Sequence, residues 1–249
     1  MLSKNKIKYI HSLELKKNRK EEQAFVAEGP KLVGDMLGHF HCKLLIGTKK
    51  WLNTTHSQAD EVIEVSTDEL MKASLQKAPQ EVLAVFEQLS YQVDTEMLSH
   101  SLCLALDDIQ DPGNVGTIIR LADWFGIEHV FCSLGTADVY NPKTVQATMG
   151  ALARVKVYYT NLPQLIHSLK DIPVYGTYIE GENIYKKALS NHGLIIMGNE
   201  GNGISEEVSQ LVNERLSIPN YPKDRTTSES LNVAMATGII CAEFRRRQQ

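Results

Sequence analysis

From Leu102 onward, short apolar segments alternate with helical segments, and this alternation constrains the fold more than any other feature of the sequence. Strands that are joined through helices run parallel to one another within one sheet. We therefore predict a mostly parallel α/β sheet for this part of the chain, ending in a helix from about Leu231 to Arg246. The predicted strands lie at residues 102–106, 130–132, 155–158, 174–177, 194–197 and 216–218.

The first ninety residues repeat the alternation in shorter pieces, which predicts a separate small α/β layer. One helix is predicted from Ser3 to about Leu13, and another begins at Pro30. Ser66 and Glu69 have the spacing of a capping box, which indicates the start of a third helix. The predicted strands lie at residues 25–27, 43–46, 62–65 and 82–86.

A polar stretch from Ser90 to His100 separates these two patterns and is the best candidate for a linker. No internal repeat or low-complexity segment is visible on either side of it. We therefore divide the chain into a domain at residues 1–90, a linker at 91–101 and a second domain at 102–249.

Composition excludes several classes of protein. The chain has 249 residues, of which 43% are hydrophobic, enough for a substantial core. No apolar run reaches the roughly 20 residues that span a bilayer, and the charged first residues lack the apolar centre of a signal peptide. We expect a soluble cytoplasmic protein without a membrane segment. The cysteines have neither zinc-site spacing nor a disulfide pattern, so no metal is predicted.

The charge is unevenly distributed. A net charge of −4 argues against a nucleic-acid partner, but residues 1–20 contain seven lysines and arginines against a single glutamate. Such a stretch is either an electrostatic footprint for phosphates or the solvated face of an amphipathic helix. Arg245–Arg247 either extend the footprint or complement the dipole of the last helix. The candidate phosphate-binding residues of the first stretch are Lys16, Lys17, Arg19 and Lys20.

Ligands of parallel α/β sheets bind beyond the carboxyl ends of the strands, and the first segment in such a position is residues 106–127. Asp111–Asn114 form a predicted turn into a helix, where Asn114 is either the N-cap or a site residue. Arg120 follows six residues later and is either a partner in a surface salt bridge or a functional residue.

The second segment is the strand–loop–helix sequence LIIMGNEGNGIS at residues 194–205. Its glycines allow close approach of a ligand to the main chain. The spacing is neither a dinucleotide-binding fingerprint nor a Walker A loop. A tight turn capped by Ser205 is the alternative, but Glu200 in the middle of the loop is hard to explain as a turn residue.

The third segment covers residues 216–240, where a short strand ends at Pro219 and a polar loop precedes a helix. Small residues at 234, 236 and 238 allow close packing of this helix against another main chain. Ser230 is a candidate N-cap, and Asn232 lies beside it at the start of the helix.

These segments together resemble the three motifs of the SpoU (TrmH) branch of the SPOUT methyltransferases. The resemblance rests on Asn114 and Arg120 at their spacing, then GNEGNGIS, then IP followed by ESLNVAMATGII, and it covers residues 102–249. The first ninety residues resemble an L30e-like RNA-binding domain, mainly through RKEEQAFVAEGPKLVGDML.

The resemblance implies a homodimeric enzyme with a C-terminal trefoil knot that transfers a methyl group from S-adenosylmethionine to a ribose 2′-hydroxyl of RNA. It implies that the polar active-site residues are Asn114, Arg120, Glu200, Ser230 and Asn232. It implies that the cofactor-binding residues are Thr177, Met197, Gly198, Asn199, Gly201, Ile218, Pro219 and Leu231.

The expected substrate is 23S ribosomal RNA at a guanosine, with transfer RNA or a non-catalytic RNA-binding protein of the same fold as alternatives. Arg120 is expected to be essential, although a guanidinium stays protonated in proteins and is a poor proton acceptor. Glu200 is expected either to orient Arg120 or to contact the ribose. The loop NYPKDRTTS is longer than in many relatives, and its Lys223 and Arg225 are candidates for a phosphate contact.

Overall fold

The computed structural model describes residues 2–55, 58–222 and 228–248. It divides the chain into two compact units. Met1–Ser90 and Asp138–Ala153 form unit 1, while Tyr91–Ala137 and Arg154–Gln249 form unit 2. In the described parts of the chain, no helix is both long and apolar enough to cross a bilayer.

The helices and strands agree with the predicted α/β alternation. The helices are α1 (Lys4–Ser12), α2 (Lys16–Glu22), α3 (Pro30–Met36), α4 (Lys49–Leu52), α5 (Thr67–Ala73), α6 (Pro112–Trp124), α7 (Pro142–Thr148), α8 (Leu162–Ser168), α9 (Glu206–Ser209) and α10 (Val233–Arg246). The strands are β1 (Ala24–Glu28), β2 (Cys42–Gly47), β3 (Val62–Glu64), β4 (Val82–Glu87), β5 (Leu102–Asp107), β6 (His129–Cys132), β7 (Lys156–Tyr159), β8 (Val174–Asn183), β9 (Gly193–Gly198) and β10 (Glu214–Ser217). Two short 3₁₀ turns lie at Glu96–Ser99 and Ala151–Ala153.

Unit 1 contains a four-stranded sheet in the order β1-β4-β2-β3. Strand β4 is antiparallel to both of its neighbours, whereas β2 and β3 are parallel. Ser3 caps α1 by accepting the N–H of Lys6, and Ser66 and Glu69 form the predicted capping box at α5. The starts of these helices could be predicted from the sequence because the two partners of each cap are only three residues apart.

Residues 138–153 pack with unit 1 although they follow β6 in the chain. Helix α7 lies against β1, and the ring of Tyr140 is 4.7 Å from that of Phe25. Asp138 pairs with Arg19 at 2.6 Å. The first unit therefore includes a segment that is distant in sequence.

Unit 2 contains a six-stranded sheet in the order β10-β8-β9-β5-β6-β7, in which every pair of neighbours is parallel. The chain leaves β5 toward β6 on one side and leaves β9 toward β10 on the other. The crevice where connections diverge in this way is the usual ligand site of a parallel sheet. Here it lies between the carboxyl ends of β5 and β9. The trefoil knot stays a prediction.

Candidate active site

The three predicted segments meet at one edge of the unit 2 sheet. Asp107 at the end of β5 is the register partner of Gly198 at the end of β9, and Gly176 of β8 pairs with Ile196 of β9. Strand β10 lies beside β8, so its carboxyl end reaches the same edge. The fold thus brings together loops that are far apart in sequence.

The structure contradicts the expectation that Asn114 is the N-cap of helix α6. Asp111, not Asn114, is the N-cap, and its carboxylate accepts the N–H of Asn114 at 2.9 Å. Asn114 therefore lies within the first turn, where its own side chain is not needed for capping. This placement leaves the amide group of Asn114 available for contacts across the crevice.

Three of the five predicted polar residues form a continuous hydrogen-bonded chain. The Asn114 amide Nδ2 donates to Glu200 Oε1 at 2.6 Å, and Asn232 Nδ2 donates to Asn114 Oδ1 at 3.1 Å. Asn232 also caps α10, because its Oδ1 accepts the N–H groups of Ala234 and Met235 at 3.0 and 3.2 Å. We call Asn114, Glu200 and Asn232 the polar cluster.

Ser230 is not the cap of the last helix, because Asn232 holds that position. Ser230 is exposed, and its hydroxyl makes no hydrogen bond with the described part of the chain. The expected cap at Ser205 has the right position before α9, but its side chain makes no capping hydrogen bond. Lys223 and Arg225 lie outside the described residues.

The glycine-rich loop is a tight hairpin. Asn199 and Gly203 exchange both main-chain hydrogen bonds at 2.9 Å, and Gly203 has the left-handed φ of +72°. A Cβ at Gly198 would lie 2.4 Å from main-chain atoms of Gly203 and Ile204. Only glycine fits at 198 in this arrangement, because a main-chain clash cannot be relieved by a side-chain rotation.

The other predicted cofactor residues lie along the same edge of the sheet. Met197 is buried, and Thr177 donates its hydroxyl to the Ile196 carbonyl at 2.8 Å. Ile218 and Pro219 directly follow β10. Leu231 beside the polar cluster is 50% exposed. Gly201 donates its N–H to Asn199 Oδ1 at 2.8 Å.

Arg120 is exposed and has no hydrogen bond or ion pair within residues 2–55, 58–222 and 228–248. Six residues of α-helix turn through about 600° and rise about 9 Å, so Arg120 projects roughly 120° away from Asn114. The suggestion that Glu200 orients Arg120 is not what this chain shows, because the Glu200 carboxylate bonds to Asn114 instead. Arg120 shares its helix face with Trp124, which is four residues further on.

Two acidic residues that the sequence analysis did not single out hold the crevice in shape. Asp107 is buried, and its carboxylate accepts the N–H of Ser205 at 2.7 Å. Asp108 has a left-handed φ of +58°, and its carbonyl accepts a hydrogen bond from Asn199 Nδ2 at 2.7 Å. The available signal was the pair of consecutive aspartates at the end of a predicted apolar strand.

The candidate RNA-binding residues of unit 1 divide into two groups. Lys16, Lys17 and Lys20 are exposed on α2. Arg19 is 2% exposed, and its guanidinium donates to Asp138 and to the carbonyls of Leu13 and Glu14. The prediction that Arg19 binds RNA is therefore wrong, because its donors are used inside the unit.

The C-terminal arginines are also engaged within the chain. Arg245 donates to the carbonyls of Phe125 and Gly126 just after α6. Arg246 and Arg247 both bond to the buried carboxylate of Glu243, and their guanidinium groups hold the pKa of that carboxyl at about 2. These contacts connect the end of α10 to the residues that follow α6 and to the Glu243 carboxylate.

The chain is similar to known proteins over both of its units. The SpoU rRNA Methylase family matches residues 101–242, and the MRM3-like substrate binding domain matches residues 4–84. The curated 23S rRNA (guanosine(2553)-2'-O)-methyltransferase RlmP of Bacillus subtilis (strain 168) is 29% identical over 245 residues, 96% of this chain and 96% of its own length.

Two solved structures are similar over nearly the whole chain. A TrmH-family protein from Porphyromonas gingivalis is 44% identical with a TM-score of 0.90, and the match covers 99% of both chains. The AdoMet-bound rRNA methyltransferase of Sinorhizobium meliloti is 30% identical with a TM-score of 0.87, covering 100% of this chain and 97% of that one. With more than half of its length matched by the family model, this chain belongs to the SpoU rRNA Methylase family.

Proposed function

We propose that this chain transfers the methyl group of S-adenosylmethionine to a ribose 2′-hydroxyl of 23S ribosomal RNA, with guanosine as the favoured nucleotide. The observation that carries the proposal is the polar cluster, in which residues from three distant motifs are hydrogen-bonded at the crevice between β5 and β9. Full-length similarity to a 23S rRNA guanosine 2'-O-methyltransferase supports the choice of substrate.

The residues at this edge fit the proposed cofactor. The half-exposed, apolar side chain of Leu231 and the main chain of the glycine-rich loop suit an adenosine, which has a flat apolar face and polar edges. When bound, S-adenosylmethionine supplies a methyl group on a positively charged sulfur. The protein must then hold the attacking oxygen in line, and positioning of this kind contributes much of the rate of such a displacement.

The polar cluster is suited to fixing the ribose. The Asn114 amide is oriented from both sides, since its Nδ2 faces Glu200 and its Oδ1 faces Asn232. The Glu200 carboxylate can accept further hydrogen bonds, including one from a ribose hydroxyl. As the 2′ oxygen bonds to the methyl carbon and the carbon–sulfur bond breaks, the hydroxyl proton must leave to an acceptor. Glu200 or an RNA phosphate can take that proton.

Arg120 is proposed to hold an RNA phosphate. Its guanidinium is exposed and unpaired in the described residues, and a planar guanidinium matches the geometry of a phosphate. An Arg120→Ala variant should lose most methylation while retaining its fold. Unchanged methylation by that variant would remove Arg120 from the mechanism.

We also propose that two copies of the chain form a homodimer through α6 and α10. Trp124 on α6 is 82% exposed and Met235 on α10 is 65% exposed, and α6 packs against α10. Large apolar side chains exposed on adjoining helices are typical of a subunit interface. Because Arg120 shares the face of Trp124, this interface would place Arg120 close to a second copy of the chain.

Mixing of two strongly impaired variants, whose residual rates can still be measured in single-turnover assays, tests this arrangement. If Arg120 serves the cluster of the partner, combining Arg120→Ala with Glu200→Gln chains should restore about a quarter of the wild-type activity, because half of the random dimers contain one intact site. If Arg120 serves its own chain, mixing restores nothing. Sedimentation of Trp124→Asp should show a monomer, and a dimeric variant would contradict the interface.

Unit 1 is proposed to bind the RNA substrate through an L30e-like domain at residues 1–90. The match of residues 4–84 to a substrate binding domain and the exposed lysines of α2 support this role. Binding by these lysines is expected to weaken as salt rises. A ribosomal RNA substrate also favours the expected cytoplasmic location.

The deciding experiment maps 2′-O-methyl groups in total RNA from cells with and without the gene. A guanosine of 23S rRNA that loses its methyl group supports the proposal. Loss from a transfer RNA would reassign the substrate. Loss from no RNA, together with no binding of S-adenosylmethionine by calorimetry, would favour a non-catalytic RNA-binding protein.

A further inference from the structure

The Asn199 side chain uses its polar atoms to shape the crevice. Its Oδ1 accepts the N–H groups of Gly201 and Asn202 at 2.8 and 3.0 Å. Its Nδ2 donates to the carbonyl of Asp108 at 2.7 Å. Both acceptor positions of the amide oxygen are therefore occupied, which leaves one N–H for any other partner.

The turn at Asp108, whose carbonyl accepts this hydrogen bond from Asn199, is also held by Ser133 and Thr136. The Asp108 N–H donates to Ser133 Oγ at 2.9 Å, and Ser133 Oγ is 3.1 Å from Thr136 Oγ1. Thr136 in turn donates to the Leu106 carbonyl at 2.9 Å. Asp108 has a left-handed main chain that a non-glycine residue adopts only when its surroundings stabilise it.

Asn199 is adjacent to Glu200, whose carboxylate accepts the hydrogen bond from Asn114. Asn114 lies in the first turn of α6, a few residues after Asp108. The loop after β9 and the turn after β5 are thus joined twice, once between Asn199 and Asp108 and once between Glu200 and Asn114. A third connection, from the Ser205 N–H to the Asp107 carboxylate, fixes the far end of the loop.

We infer that Asn199 is a positioning residue for methyl transfer, acting through the Asp108 carbonyl to hold the Glu200 carboxylate against Asn114, rather than a side-chain ligand of the cofactor. The inference rests on the proposed function. The Asn199 hydrogen bond fixes the residue next to Glu200, so its loss shifts the carboxylate while leaving the hairpin closed. A displacement of about 1 Å at a reacting group is enough to lower a rate markedly.

Asn199→Asp isolates the donor. The substitution keeps the oxygen that accepts the two loop N–H groups and places a second oxygen against the Asp108 carbonyl, so the hydrogen bond is replaced by repulsion. Asn202→Asp is the matched control. Asn202 lies in the same loop, and its side chain is exposed and makes no hydrogen bond with described residues. The substitution adds the same negative charge to the same loop.

Asn199→Asp should lower kcat by roughly tenfold or more, the change expected for one lost hydrogen bond, while calorimetry gives a dissociation constant for S-adenosylmethionine within about threefold of the wild type. Asn202→Asp should leave kcat within about twofold. In a Glu200→Gln background, adding Asn199→Asp should change kcat by less than about twofold, because residues that act through one another are not additive.

Other results would overturn the inference. An unchanged kcat with a tenfold weaker cofactor would make Asn199 a cofactor ligand. An equal loss in Asn202→Asp would indicate charge repulsion of the RNA, and a multiplicative effect in the double variant would separate Asn199 from Glu200. If Asn199→Asp fails to fold by circular dichroism, Asn199→Ser removes the Nδ2 donor without adding charge, and Asn202→Ser is then the matched control. Absence of methylation by the wild-type protein would instead refute the proposed function.

Discussion

Arg19 is predicted to stabilise unit 1 and to make no contribution to RNA binding. Its guanidinium makes four hydrogen bonds, two to one oxygen of Asp138 and one each to the carbonyls of Leu13 and Glu14. An Arg19→Ala substitution leaves a carboxylate and two main-chain oxygens without these donors. The affected ion pair also holds residues 138–153 to the rest of unit 1.

The magnitude follows from the burial of the pair. Removing one partner of a buried ion pair costs roughly 3–5 kcal/mol. Asp138 is 16% exposed and keeps a hydrogen bond from the Tyr140 N–H at 3.0 Å, so the lower end, about 3 kcal/mol, is expected. With a slope near 1.5 kcal/mol per M, the urea midpoint should fall by about 2 M. Arg19→Lys keeps the charge but loses the planar fork and should cost roughly half as much.

Tryptophan fluorescence can follow the unfolding of unit 1 separately, because each unit contains one of the two tryptophans. Trp51 is buried in unit 1, whereas Trp124 in unit 2 is exposed. In a Trp124→Phe background, urea denaturation followed by fluorescence therefore reports the unfolding around Trp51. Replacing Lys16, Lys17 and Lys20 by Gln is the matched comparison, because exposed substitutions usually change stability by less than about 0.5 kcal/mol.

RNA affinity should depend on the three lysines of α2 and not on Arg19, which is the opposite of what we expect for stability. The triple lysine variant should bind RNA more weakly and with a shallower dependence on salt, since each phosphate contact contributes about 0.7–0.9 to the slope. Arg19→Ala, measured where it is folded, should keep the wild-type slope. An Arg19→Ala protein with an unchanged urea midpoint, or with the salt slope of the triple variant, would refute this reasoning.

Three further predictions concern single groups. Burial raises the pKa of Glu28, which accepts hydrogen bonds from Ser74 and the Leu75 N–H, so the folded state binds this proton more tightly than the unfolded state. Glu28→Gln should therefore gain stability relative to the wild type as pH rises from about 4 to 7 in urea denaturation, and a constant difference would contradict it. Gly198→Ala should abolish S-adenosylmethionine binding in calorimetry while the circular dichroism spectrum is kept, because its Cβ would meet main-chain atoms at 2.4 Å. Burial raises the thiol pKa values to about 11 at Cys42 and about 12 at Cys103 and Cys241, and also raises that of Cys132. A thiol reagent at pH 8 should thus label no cysteine in the folded protein and four in urea, and labelling of the folded protein would show that a thiol is accessible.

Local patterns predicted the elements well because the relevant signals lie close together in sequence. The strand that ends at Asp107 and the strand that ends at Gly198 were both visible as apolar runs followed by turn residues. The candidate N-cap of α6, Asn114, lies three residues after the observed N-cap, Asp111. DPGN contains two good capping residues, and only the tertiary contact of Asn114 with Glu200 shows which one is needed elsewhere.

Partners distant in sequence were not predictable. Nothing in the basic run KKNRK distinguishes Arg19 from its neighbours, since composition treats all these cations alike. Arg19 faces inward because its guanidinium bonds to the carbonyls of Leu13 and Glu14 and pairs with Asp138, which follows more than a hundred residues later. The charge count of the first 20 residues therefore overstates the basic surface by one residue that is internal.

The five predicted active-site residues also show that the order of motifs in the sequence does not determine which side chains are in contact. Motifs state which residues occur and in what order, but the pitch of a helix decides which of them meet. Asn114 faces Glu200 and Asn232, whereas Arg120 projects from another face of the same helix. A guanidinium outside the cluster can act on the ribose only when something else brings the two together. The proposed RNA phosphate and the proposed second subunit would each supply this link, so we expect the polar cluster of a single chain to form only the ribose-binding half of the proposed site.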